Sequence, residues 1–371
     1  GRGMRKRLSL FLPHSWGRGT TRSVVEGARL GAELPAAPST GFAGPPPPLR
    51  RGGKIALGPL ATLTLAACAA QAPSLPTAPV PATGAIAVAA TPVLLNPADP
   101  AQAAIGAFRY AGGVALSSSD TARFHGLSDM AVTDGVNLTA VSDEGDLLKA
   151  KIVLDKDGRL AGLAAARITA LPGLDGKPLA GKLDADSEGL ALMPSGDLLV
   201  SFERNHRIWL YPKEGGAPRP APSPAATFPP NGGMEALGPD PAAGPDAYVA
   251  GGEESGQTWT CRLSGACVPG PVIAKPPEFG LVALARLSEG RTAWLLRAWD
   301  PIRGNRVTLT IQSQDGRELG RLDLARPYSI DNFEALAAVP ARDGTIRFYL
   351  LSDDNFQNSQ RTLLLAFDWK G

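Results

Sequence analysis

Residues 186–211 read DSEGLALMPSGDLLVSFERNHRIWLY, and the way this stretch divides decides the fold. Glu188 to Met193 is a short apolar run, and Pro194-Ser195-Gly196-Asp197 is turn chemistry. Proline sets φ at the start of such a turn and glycine accepts φ > 0 further on. Leu198 to Phe202 is a second apolar run, Arg204-Asn205-His206 a second turn, and Arg207 to Tyr211 a third strand of large and β-branched residues. Strand two returns antiparallel to strand one. The acid at the head of the first (Glu188) and the acid at the tail of the second (Glu203) therefore share one rim.

The unit recurs along the chain. Glu235-Ala236-Leu237 leads to Ala247-Tyr248-Val249-Ala250 and then Glu253-Glu254, and Asn332-Phe333-Glu334-Ala335-Leu336 leads to Ile346 through Leu351 and then Asp353-Asp354. Two weaker copies start at His125-Gly126-Leu127, ending on Asp143-Glu144, and at Phe279-Gly280-Leu281, ending on Arg297 and Asp300. The heads at 125, 188, 235, 279 and 334 lie 63, 47, 44 and 55 residues apart. Repeats of this length with several short strands each signal a β-propeller. The expected fold is all-β, a propeller of five or six blades over residues 105–371. A strand from 105–116 would pair beside the last strand, Thr362 to Trp369, and close the ring without an open edge.

The chain upstream reads differently. Residues 1–53 are rich in Arg, Gly and Pro without periodicity. Arg50-Arg51-Gly52-Gly53-Lys54 then precedes the apolar run Ile55 to Ala67, the pattern of a signal peptide too short to span a bilayer stably. Leu65-Ala66-Ala67-Cys68 resembles the bacterial lipobox, which makes Cys68 the expected lipidation site and the cell envelope or periplasm the expected location. The plainer reading is a secretory signal with a cysteine near its cut. Residues 68–104, mostly Ala, Pro, Thr and Val, have the composition of a tether.

Without residues 1–67 the chain holds 27 Lys/Arg and 33 Asp/Glu, a net charge of −6. No clustered basic face remains for nucleic acid. Membrane contact is expected only through a lipid anchor, and a monomer is expected. Cys261 and Cys267 flank a five-residue loop and, in an exported chain, are expected to form a disulfide. Two His and two Cys without matched short spacings make no zinc set.

In a propeller the first strand of each blade lines the channel. The heads Glu188, Glu235 and Glu334 and the tails Glu203, Glu253, Asp300, Asp353 and Asp354 are expected to converge on one face. Clustered carboxylates raise one another's pKa values unless a cation neutralises them, and hard oxygen donors suit Ca²⁺. The bland reading, in which each acid caps its own turn, stays open. Arg297 and Arg303, in the polar loop 297–306, either pair with these acids or present bidentate donors to a substrate anion. No Gly-x-Ser-x-Gly elbow occurs in the sequence. His125 is the candidate base, whereas His206 reads as a solvated turn residue.

Asp186-Ser-Glu-Gly-Leu-Ala, Gly-Met-Glu235, Asn-Phe-Glu334-Ala-Leu and Ser-Asp-Asp-Asn-Phe356 together resemble the bacterial phytase-like family, described by esterase-like activity of phytase. The resemblance covers about 105–371 and implies an exported propeller hydrolysing phosphoester or ester substrates. Propeller phytases of similar fold use Ca²⁺ and channel acids, which implies Ca²⁺ as cofactor and Glu188, Glu334, His125, Arg297 and Arg303 as the groups to test. Two alternatives remain: a non-catalytic envelope propeller that binds a ligand or partner, and a lactonase, since the Glu-Gly-Leu and Gly-Asp-Leu-Leu-Val-Ser runs are also similar to gluconolactonase-type propellers.

Overall fold

The computed structural model describes residues 83–371. Residues 1–67, the lipobox cysteine Cys68 and the tether up to 82 lie outside the described residues. Five antiparallel sheets follow one another around an axis. Blade 1 comprises Leu127–Thr133, Asn137–Ser142, Asp146–Leu154 and Leu160–Ala170. Blade 2 comprises Ser187–Leu192, Leu198–Phe202, Arg207–Tyr211 and Arg219–Ala221. Blade 3 comprises Ala236–Pro239, Ala247–Gly251, Gln257–Arg262 and Val268–Val272. Blade 4 comprises Gly280–Arg286, Thr292–Asp300, Gly304–Gln312 and Glu318–Leu324. Blade 5 takes Asn332–Pro340, Ile346–Asp353 and Thr362–Trp369 from the end of the chain.

The fourth strand of blade 5 is Phe108–Ser117, paired antiparallel with Thr362–Trp369 from Leu116↔Thr362 to Phe108↔Trp369. The ring is thus five-bladed and closed by strands from opposite ends of the sequence. Each first strand packs against the first strands of both neighbouring blades.

Part of the stretch read as tether is built into the ring. Thr83–Ala85 pairs with Leu160–Ala170 at the outer edge of blade 1, and Ala89–Pro92 pairs with Phe108–Ser117 at the outer edge of blade 5. Small side chains suit this position: a Cβ on Gly162 would stand 3.2 Å from that of Ala90. Leu95 is fully buried against blades 4 and 5. Uncharged, Ala-rich composition does not separate a tether from an edge strand resting on a formed sheet.

The core is divided into five apolar clusters, each lying between two adjacent blades. On the axis itself a cavity of about 190 Å³ is lined by Met130, Leu190, Leu237, Leu284 and Leu336, one from each first strand. This apolar ring is the floor beneath the polar end of the channel. Cys261 and Cys267 are joined by a disulfide across the hairpin between the last two strands of blade 3.

Candidate acidic channel mouth

One irregularity, repeated in all five blades, positions the site. In blade 2 Ser201 faces Gly189, yet Phe202 faces Ser187, so Glu188 is an extra residue on the first strand. Blades 1, 4 and 5 skip a residue at Ser128, Val282 and Glu334 in the same way. In blade 3 Gly251 faces Ala236 while the Glu253 N–H donates to the Gly233 carbonyl, which leaves the extra residue at Glu235. These are β-bulges, which leave one residue unpaired and re-aim its side chain. The bulge ring therefore reads Ser128, Glu188, Glu235, Val282 and Glu334.

The same register defines a second ring where each second strand ends: Asp143, Glu203, Glu253, Arg297 and Asp353. Across from these stand Gly126, Asp186, Gly233, Gly280 and Asn332. The blade 1 head is thus Ser128 and not His125, and the blade 4 head is Val282 and not Phe279. Apolar residues two positions beyond each bulge, from Met130 to Leu336, confirm the alignment.

Three cations meet eight carboxylates at this mouth. Arg297 reaches Glu253 Oε1 at 3.2 Å, Glu334 Oε1 at 3.3 Å and Asn332 Oδ1 at 2.8 Å. Asn332 Nδ2 in turn donates to Glu334 Oε1 at 2.9 Å. On the other side, the short helix Lys182–Ala185 brings Lys182 Nζ to Asp143 Oδ2 at 2.5 Å and Asp186 Oδ1 at 2.6 Å. Arg204 Nε holds the second Asp186 oxygen at 2.7 Å. Among the described residues, Glu188 and Glu235 have no cation within ion-pair distance, and Glu203 accepts only the Gly233 N–H, at 2.9 Å.

The titration of these groups follows from that imbalance. Burial, then Glu235, Glu334, Asp186 and Glu203, push Glu188 well above the carboxylate range. Burial and Glu253 do the same to Glu235, with Arg297 opposing. Glu203 is pushed up to about 7, chiefly by burial and against the Gly233 N–H. Asp353 is pushed up to about 9 by burial and Glu334. Burial raises Asp143 to about 6 even though Lys182 opposes it.

Two groups of carboxylates could hold a metal ion: Asp186, Glu188 and Glu203, and Glu203, Glu235 and Glu253. Within each group one oxygen per residue lies within 4.8 Å of the others, and Glu203 belongs to both.

Several expected residues stand elsewhere. Asp300 is three residues past the ring, because the second strand of blade 4 runs on to Asp300 before its hairpin; it binds Arg303 Nε at 2.7 Å and Arg306 Nη2 at 3.3 Å. Arg303 is exposed on that hairpin and does not reach the mouth. Asp354 accepts from the Gly126 N–H at 3.1 Å and from Thr362 Oγ1 at 2.9 Å, which fixes the loop between blades 5 and 1. His125 packs edge-on to Phe356, 3.8 Å between centroids, beside a surface pocket and not on the axis. His206 is half-buried, its Nε2 2.8 Å from the Pro229 carbonyl, so the turn does not leave it in solvent.

Asp143, Asp186, Lys182, Arg204, Asn332 and Asp129 were not among the expected site residues. Asp129 occupies the position that is Gly or Ala in the other four blades, next to the bulge. Its two oxygens accept the Leu190 N–H at 2.7 Å and the Met130 N–H at 2.8 Å, tying blade 1 to blade 2 below the mouth. The readable signal was the apolar residue following it: Ser128-Asp129-Met130 aligns with Glu188-Gly189-Leu190.

Solved structures similar to the chain include a putative gluconolactonase (15% identity, 78% of this chain and 91% of that one, TM-score 0.41). Another is the calcium-binding protein regucalcin from Agrobacterium tumefaciens (14% identity, 76% and 90%, TM-score 0.40). No curated protein matches the sequence. The model of one family, phytase-like, described as esterase-like activity of phytase, matches residues 122–356, a stretch that carries both rings, and the chain belongs to that family.

Proposed function

We infer that the channel mouth binds Ca²⁺ and hydrolyses an ester, carboxylic or phosphoric, adding water to give an acid and an alcohol. The observation that carries this reading is the pair of carboxylate groups sharing Glu203. Their donors are all hard oxygens in irregular array, a set that suits Ca²⁺ and not Zn²⁺. Asp186, Glu188 and Glu203 would hold one ion, and Glu203, Glu235 and Glu253 a second. A bound divalent ion polarises the ester oxygen and acidifies water.

The chain's own groups do the rest. Arg297, pinned by Glu253, Glu334 and Asn332, positions those carboxylates and offers no free fork to a substrate anion. Glu334 lies outside both ion groups, on the bulge ring with Glu188 and Glu235, and is the carboxylate we assign to accept a proton from attacking water. The apolar ring from Met130 to Leu336 closes the channel below, so charge at the mouth is screened weakly. The surplus of carboxylates disfavours a dianionic phosphate unless both ion positions are filled, which favours a neutral carboxylic ester. The Cys261–Cys267 disulfide supports an oxidising, exported setting, in keeping with the signal-like run before Cys68.

The test uses residues 69–371 with a panel of carboxylic esters, phosphoesters and sugar lactones, with Ca²⁺ or with chelator. Ester cleavage that needs Ca²⁺ is expected. Glu188→Gln should remove the Ca²⁺-induced rise in Tm, while Glu334→Gln should keep that rise and lower kcat at least a hundredfold. Inactivity across the panel with Ca²⁺ bound would leave a binding module, and lactones cleaved faster than open-chain esters would make it a lactonase.

A further inference from the structure

Beside the acidic mouth, on the blade 2 to blade 3 side, lies a cavity of about 490 Å³, within the range of small-molecule sites. Its walls are mainly apolar. Phe228 and Trp259 meet edge to face with centroids 5.8 Å apart. His206 backs Phe228 at 5.4 Å, and its Nε2 donates to the Pro229 carbonyl, fixing the loop that carries the phenyl ring. Gly252 forms part of the wall: a Cβ there would stand 2.7 Å from Ser255 Oγ, 3.4 Å from Phe228 Cε1 and 3.6 Å from Trp259 Cζ3, so a side chain would displace the Ser255 hydroxyl and crowd both rings.

The cavity and the mouth share backbone. Gly252 and Glu254 line the cavity, and Glu253 between them belongs to the acid ring. Gly232 lines it too, and the next N–H, that of Gly233, holds Glu203. Consecutive Cα atoms are about 3.8 Å apart, so the backbone that carries Glu253 and the N–H that holds Glu203 are each one residue from the cavity wall.

We propose that this cavity takes a neutral aromatic group of the ester, so that the preferred substrates are aryl or benzyl esters. The proposal rests on the hydrolysis read above and specifies its substrate. The two rings that line it, Phe228 and Trp259, favour an aromatic occupant in edge-to-face or offset contact. Glu254 at the rim, with Glu203 and Glu253 beyond it, disfavours a negatively charged one.

The experiment has a binding arm and a kinetic arm. Neutral p-nitrobenzyl alcohol, a nitroaromatic quencher, is titrated into residues 69–371 while tryptophan emission is followed. Saturable quenching is expected, lost in Trp259→Phe and at least tenfold weaker in Gly252→Val. Phe228→Ala is the second variant, should valine at 252 impair folding, and is expected to weaken binding similarly. In the kinetic arm the kcat/KM ratio of phenyl acetate to ethyl acetate should fall at least tenfold in both variants, with the Ca²⁺-induced Tm shift retained. Unchanged quenching and an unchanged ratio in Gly252→Val would overturn the proposal while leaving the hydrolysis standing. Cavity-dependent quenching with no ester cleaved would instead overturn the hydrolysis and, with it, the substrate assignment.

Discussion

At the bulge and at the end of the second strand, blade 2 carries Glu188 and Glu203 and blade 3 carries Glu235 and Glu253. Blade 4 has the same bulge and places Val282 and Arg297 there. The backbone device is common to all five blades, so it specifies where side chains gather and not what they are. Chemistry has been varied on a constant frame. Blades 2 and 3 concentrate carboxylates whose oxygens lie within 4.8 Å. At an effective dielectric of about 20, each ionised pair at that spacing costs about 3 kcal/mol. Blade 4 supplies the opposite sign, and Arg297 reaches across to Glu253 on one side and Glu334 on the other. With acids in place of Val282 and Arg297 the mouth would gain two charges and keep only Lys182 and Arg204, which serve Asp143 and Asp186, as counterions.

The strongest way to break this contrast is to remove the cation. Arg297→Met leaves Glu253 and Glu334 without their cation, and unfolding in denaturant should show a loss of about 3–5 kcal/mol, the usual cost of splitting a buried pair. Ca²⁺ should recover part of it. A loss below about 1 kcal/mol would mean that blade 4 is not the counterweight.

Titration without metal probes the other side. Glu203 and Asp353, ionising at about 7 and about 9 when folded, hold protons that the unfolded chain has released above its ordinary carboxylate values of 4.5 and 3.8. Their contribution is therefore fully present below about pH 4 and is lost as pH rises through 7 and 9. The slope is up to about 1.4 kcal/mol per pH unit for each group. Melting in chelator should show Tm falling across that window, and Ca²⁺ should flatten the fall. A flat profile in chelator would show that the acids are relieved by something other than protons.

Replacing a carboxylate should produce effects of opposite sign in the two conditions. Glu203→Gln should stabilise the metal-free protein at pH 8 by about 1–3 kcal/mol and abolish the Ca²⁺-induced Tm shift. Asp300→Asn, outside the ring, should leave that shift intact. The smallest change is Val282→Glu, which gives blade 4 the bulge acid of its neighbours. Calorimetric titration should show Ca²⁺ affinity rising a few fold, and no change would place residue 282 out of reach of the ion positions.

The architecture was legible because turn chemistry and acidic heads recur with the period of a blade. The rings were only half legible, for reasons that can be named residue by residue. A bulge adds one residue without disturbing the apolar run around it, so nothing in Leu127 to Met130 marks Ser128 as the head. His125-Gly126-Leu127 mimics the Glu188-Gly189-Leu190 pattern three residues too early. In blade 4 the first acid along the second strand is Asp300 at its end, but the strand outlasts the ring, and the equivalent position is the basic Arg297. Lys182 arrives on a one-turn helix inserted between blades, where spacing within a repeat carries no information. The partnership of Asp186 with Lys182 and Arg204 depends on how two blades meet, which no single repeat encodes.

The pairing of Phe108–Ser117 with Thr362–Trp369 bears on how the molecule is made. A ribosome delivers the first of these strands roughly 250 residues before its partner, and until then the fourth strand of blade 5 has no third strand to pair with. The circle can be locked only after Trp369 has been made, so the ring closes later than any of its first four blades. Once locked, the two ends of the domain guard each other, and fraying at either one opens the whole wheel.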